Sequence, residues 1–128
     1  MRRASTHLLP LLPALILAGC GDPECRNEIR EELVSPDGTN KVVIFSRDCG
    51  ATTGFNCQGS ILPAGDPLPG DDGGNAFIFD AGGAKVTWAD AKTLTVSVEG
   101  SARAFKREEA VRGVKLAYSQ EKEVPGDR

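Results

Sequence analysis

The chain contains a single histidine, His7, which precedes its first cysteine, Cys20. From Cys20 onward no Ser-His-Asp triad, Cys-His pair or histidine metal site can be assembled. Basic charge is also scarce. Fifteen Lys+Arg stand against 18 Asp+Glu with no concentrated basic run, so the footprint that nucleic acid requires is missing. No apolar stretch reaches the roughly 20 residues needed to span a bilayer. The run that begins at Leu8 is interrupted by Pro10 and Pro13 and is soon followed by Asp22, Glu24 and Arg26. Cys-X-X-Cys spacing, which lowers thiol pKa values in redox motifs, is absent.

What the N-terminus does contain is an ordered series: Arg2 and Arg3, an apolar run over 8–17, then Leu17-Ala18-Gly19-Cys20. Those last four residues resemble the lipobox of bacterial lipoproteins. The resemblance implies that residues 1–19 are a signal peptide and that Cys20 becomes the first residue of the mature protein. Its thiol would carry a diacylglyceryl thioether and its amine a further acyl chain such as palmitate. Each buried methylene contributes about 0.8 kcal/mol, and stable anchoring takes more than one chain. The membrane is therefore an expected partner, through lipid on Cys20. Gly21 stands where an aspartate favours inner-membrane retention, so the periplasmic face of an outer membrane is expected in a cell with two membranes. Removal of Arg2 and Arg3 makes the mature chain two charges more acidic than the formal −3 of the whole, and His7 leaves with them.

About 110 residues remain, enough for one small core. The expected organisation is a lipidated cysteine and charged tether over 20–37, a β domain over 38–118, and a polar tail over 119–128. Ile29 and Leu33 are four apart, which leaves Arg26–Val34 open between a short N-terminal helix and a strand. Ser35-Pro36-Asp37-Gly38 is a turn signal. Seven short strands are expected at 41–47, 58–62, 76–80, 85–88, 93–98, 103–107 and 114–118. Val42-Val43-Ile44-Phe45 suits a strand buried on both faces, whereas Leu94, Val96 and Val98 alternate with hydroxyl residues as in a half-buried one. The fold class is all-β, mainly antiparallel, in a small sandwich or curled sheet.

The segment 63–75, with three prolines and four glycines, is expected to be an exposed loop without regular structure. Its Asp66, Asp71, Asp72 and Asn75 offer oxygens suited to calcium. Their spacing departs from the EF-hand pattern, and the expectation is a solvated loop with no metal.

The most distinctive stretch is Asp48-Cys49-Gly50-Ala51-Thr52-Thr53-Gly54-Phe55. Its two glycines bracket small residues and two hydroxyls, which permits close backbone approach to a ligand. It is not a phosphate loop, because Phe55 occupies the place of the lysine. Asp48, Gly50, Thr52, Thr53, Gly54 and Phe55 form the candidate ligand or partner loop. Together with the SPDG turn, the FIF strand and Trp88, this stretch resembles a family of small exported bacterial proteins over roughly 25–118. The resemblance brings no reaction, substrate or cofactor.

With Cys20 lipidated, Cys25, Cys49 and Cys57 remain in an oxidising compartment. One disulfide and one thiol is the simplest outcome, and the residues alone allow Cys49 to pair with Cys25 or with Cys57. The family resemblance implies Cys25–Cys49, since its members carry cysteines at those two places and a different residue at the third.

Without histidine, catalysis would fall to Asp48, Asp80 or Glu99, to a lysine, or to the Thr52-Thr53 hydroxyls. No spacing pairs an acid with a base, so neither catalytic residues nor a cofactor is expected. The expected function is a lipid-anchored cell-envelope protein acting as a non-catalytic binding or assembly module with an envelope protein partner. An inhibitor of an exported hydrolase is the alternative, and an enzyme using carboxylate or hydroxyl chemistry is a second.

Overall fold

The computed structural model describes residues 25–50, 54–80 and 82–121. It is all-β. The described residues form nine strands: β1 (Arg26–Val34), β2 (Asn40–Asp48), β3 (Cys57–Pro63), β4 (Phe77–Phe79), β5 (Ala84–Asp90), β6 (Thr93–Glu99), β7 (Ala104–Arg107), β8 (Ala110–Val111) and β9 (Val114–Glu121). Each of the seven expected strands is present. The short N-terminal helix is not, because no helix occurs among the described residues. The count of about seven strands rises to nine through β1 and β8.

The reason β1 was ambiguous is a bulge. Ile29 pairs with Phe45 and Glu31 with Ile44, so Arg30 is an extra residue that reverses the alternation of faces. Ile29 therefore lies on the outer face of the sheet and Leu33, opposite Val42, on the inner. The SPDG turn closes the hairpin by its own side chains. Ser35 Oγ donates to Asp37 Oδ1 at 2.7 Å, the Thr39 N–H donates to the same carboxylate at 3.1 Å, and the Asn40 N–H reaches Ser35 Oγ at 3.1 Å. Gly38 takes φ 73°, a region that favours glycine.

Five strands form one antiparallel sheet in the order β1-β2-β3-β4-β7, and four form a second in the order β5-β6-β9-β8. The second sheet contains a parallel pair, β6 with β9, between otherwise antiparallel partners. Burial of their facing sides drives the two sheets together. Val42, Ile44, Cys57, Ile61, Phe77 and Phe79 from the first share a core with Val86, Leu94, Val96, Val98, Val114 and Leu116 from the second. Each large apolar side chain so enclosed contributes about 1.5–3 kcal/mol. Phe77, Phe79 and Tyr118 form an aromatic cluster with centroids 5.5–6.3 Å apart. Polar bonds also cross between the layers: Trp88 Nε1 donates to Leu33 O at 3.0 Å and the Tyr118 hydroxyl to Glu108 O at 2.7 Å.

Val43 and Phe45 point away from this core yet have no exposed surface. The chain after β3 supplies their cover. Residues 64–75 keep no regular strand, as expected, but they are fastened across the outer face of the first sheet. Asn27 Nδ2 donates to Pro69 O and Asp72 O, both at 2.8 Å, and Arg47 Nη2 donates to Asp71 O. The Gly74 N–H donates to Gln58 Oε1 at 2.8 Å, the Asn75 N–H to Ser60 Oγ, and Lys106 Nζ to Gly74 O. Asn75 uses both ends of its amide on Ile61, donating to its carbonyl at 2.9 Å and accepting from its N–H at 2.8 Å. These bonds satisfy the buried polar residues Gln58 and Ser60, whose burial without partners would cost about 1–3 kcal/mol each.

Candidate functional site at the disulfide pole

β1 begins and β2 ends at the same pole of the molecule, where Arg26 pairs with Asp48. A disulfide between Cys25 and Cys49 joins the residues just beyond that pair. This is one of the two pairings the residues allowed, and Cys57 is left as a buried thiol. Burial pushes the Cys57 pKa up, while an N–H from Ala84 and the charge of Arg30 act the other way. A thiol held in that state is a core side chain rather than a nucleophile.

The distinctive loop leaves β2 through Asp48, whose Oδ1 accepts the Gly50 N–H at 2.9 Å. Gly50 takes φ 113°, which a side chain would resist. The loop returns through Asn56, which acts as a surrogate strand residue: its Oδ1 accepts the Arg47 N–H at 2.8 Å and its Nδ2 donates to Arg47 O at 2.7 Å. Nδ2 also lies 3.1 Å from Gly54 O, so one amide holds the base of the loop closed. Phe55, immediately before it, has 89% of its surface exposed. Thr52, Thr53 and Cys20, the residue expected to carry lipid, lie outside the described residues.

Asp48, Gly50, Gly54 and Phe55 line a shallow groove of about 430 Å³ together with Glu28, Arg30 and Ser46. The structure thus brings the described part of the loop to one surface. Glu28, Arg30 and Ser46, which come from β1 and β2, are among the lining residues that sequence reasoning did not single out. Their signal was hidden, since the Arg30 bulge decides which side chains of β1 face the groove. Arg30 Nη2 approaches Ser46 Oγ at 3.4 Å, and Arg47 is engaged by Asn27 Oδ1 at 2.8 Å. The groove mixes both signs of charge over a short span.

The carboxylates considered for catalysis are placed by structural contacts. Asp80 accepts the Arg103 N–H at 2.5 Å and Arg103 Nε at 2.9 Å. Those two contacts, the N–H foremost, hold its carboxyl below the usual range. Glu99 is the exposed last residue of β6. Among the described residues no three Cys, His, Asp or Glu side chains converge into a metal site.

The fold and its pole therefore define an open, two-sheet β sandwich whose N-terminal entry is disulfide-bonded beside a glycine-rich loop. Compared with family models, curated protein sequences and solved structures, the chain matches none.

Proposed function

We propose that this is a lipid-anchored envelope protein whose β domain serves as a binding or assembly module without catalysis, with the disulfide pole as its contact surface. The carrying observation is the position of Leu17-Ala18-Gly19-Cys20 five residues before Cys25, the residue at which the fold is bonded shut. Lipid on Cys20 would hold the domain at a bilayer by acyl chains alone. The lining of the groove supports a contact role. Asp48 is engaged by the loop backbone and Arg30 approaches Ser46. No imidazole can follow Cys20 in this chain to act as a base near neutral pH.

Globomycin, which blocks the lipoprotein signal peptidase, tests the anchor. Treated cells should accumulate the uncleaved precursor, and labelled palmitate should enter the wild-type protein but not Cys20→Ser. Normal processing under globomycin would refute the proposal.

A further inference from the structure

We infer that the disulfide pole docks on the bilayer itself, with Phe55 inserted into the interfacial layer, so that Phe55 sets the orientation of the anchored domain. The inference rests on lipidation of Cys20 and names the partner of the same surface.

Three observations carry it. The first is reach. Cys20 and Cys25 are separated by five residues, which span at most about 17 Å when fully extended. β1 alone, with nine residues, is about 27 Å long from Arg26 to Val34. With the tether attached at the Cys25 end, the far pole cannot face the bilayer, because the attachment point would then lie beyond the tether's reach. The Cys25–Cys49 bond makes this limit firm, since it stops the start of β1 from peeling away to lengthen the tether.

The second is where exposed aromatic surface lies. Phe55 is 89% exposed, with Gly54 before it and the ladder-locked Asn56 after it. Phe105, at 66% exposed, lies on β7 next to Ala104, which pairs with Phe79, which in turn pairs with Cys57 at the same end of the sheet. At 89% exposure the Phe55 ring buries little apolar area within the domain. In a bilayer interface it buries apolar area to a depth of about 5–10 Å.

The third is charge. Arg26, Arg30 and Arg47 at this pole are interleaved with Glu28 and Asp48, so the surface carries no large excess of either sign. Attraction to anionic lipid is therefore not the source of affinity. The acyl chains supply affinity, and tethering converts the docking of Phe55 into an intramolecular step with a high effective concentration.

The test uses the full lipidated protein, purified from cells and reconstituted in phosphatidylethanolamine–phosphatidylglycerol vesicles whose acyl chains are brominated near the headgroups. Trp88 is the sole native tryptophan and gives the baseline in the parent protein. Phe55→Trp should add an emission shifted to shorter wavelength and quenched about twofold or more by brominated lipid, as an interfacial ring would be. Val34→Trp, 55% exposed at the far pole, should add emission that the lipid does not quench. Flotation of the Phe55→Trp protein with the vesicles while its added emission stays unquenched overturns the docking and leaves the anchor standing. Equal quenching in the two variants overturns the orientation. Failure of the protein to float with vesicles overturns the anchor and the docking together.

Discussion

Gly59 sits in β3 directly under the ring of Phe77, its cross-strand partner in β4. A Cβ built at Gly59 would overlap Cζ and Cε1 of that ring and lie 2.7 Å from Cε2. Phe77 has no exposed surface and is flanked by Phe79 and Tyr118, so the ring has nowhere to move. Replacing glycine by alanine at an unconstrained position stabilises by about 0.4–1 kcal/mol through the unfolded chain. Overpacking a rigid core costs about 1–3 kcal/mol. With three ring atoms blocked, the upper end of that cost applies, and Gly59→Ala should destabilise the domain by about 2 kcal/mol net. Guanidinium unfolding of the soluble domain, followed by Trp88 fluorescence, reads the change as a shift in midpoint at constant slope. The mechanism has its own signature. In a Phe77→Leu background the blocking atoms are gone, and Gly59→Ala should lose more than half of its effect, a coupling of about 1–2 kcal/mol. An effect within about 0.5 kcal/mol of zero, or one independent of residue 77, would refute the reasoning.

Three further outcomes are expected. Removing the disulfide as Cys25→Ala/Cys49→Ala should lower stability by about 3.5 kcal/mol, the chain-entropy value for its separation of 24 residues, and the same unfolding curves measure it. Tyr118, the single tyrosine, is pushed up to about 12, chiefly by burial and despite the opposing charge of Arg107 stacked 4.6 Å over its ring. The folded state then holds its proton longer than the unfolded state, so stability is complete below about pH 10 and falls as pH approaches 12. Phenolate absorbance of the folded protein should therefore titrate late, and half-ionisation near pH 10 would contradict it. Asp37 is held below its ordinary 3.8 by the Ser35 hydroxyl and then by the Thr39 N–H. Its contribution is present above that pH and lost as pH falls through the folded value, so the stability deficit of Asp37→Asn should shrink on acidification below 3.8.

Elements governed by local chemistry were legible in the chain. The SPDG turn forms because Ser35, Asp37 and Gly38 each meet a local requirement, and β6 follows from strict alternation at Leu94, Val96 and Val98. The burial of Val42 to Phe45 on both faces was equally readable, though not what lies above them. The segment 64–75 covers that face through single polar residues scattered over four strands, among them Asn27, Arg47, Gln58 and Lys106. No periodicity marks such a set. β1 was hidden for another reason, since one extra residue at Arg30 reverses its faces and leaves Ile29 and Leu33 on opposite sides. At the candidate site the loop from Asp48 to Phe55 was conspicuous by its glycines. Glu28, Arg30 and Ser46 were not, because their presence in the groove depends on that bulge and on pairing between distant strands.

The last strand among the described residues, β9, is an interior strand of its sheet, flanked by β6 and β8. It pairs with β6 in parallel, and the path between them detours through β7 in the opposite sheet. Until β9 arrives, β6 keeps an unpaired edge and the inner faces of both sheets lack Val114, Leu116 and Tyr118. Such non-local closure is slow, because loop entropy is lost before the contacts that offset it form. With Cys20 lipidated as proposed, a chain secreted from its N-terminus would be tied to the membrane at one end while its core still waited for the other. Folding would then be a race at that surface between delivery of β9 and capture of the open β6 edge by a neighbouring chain.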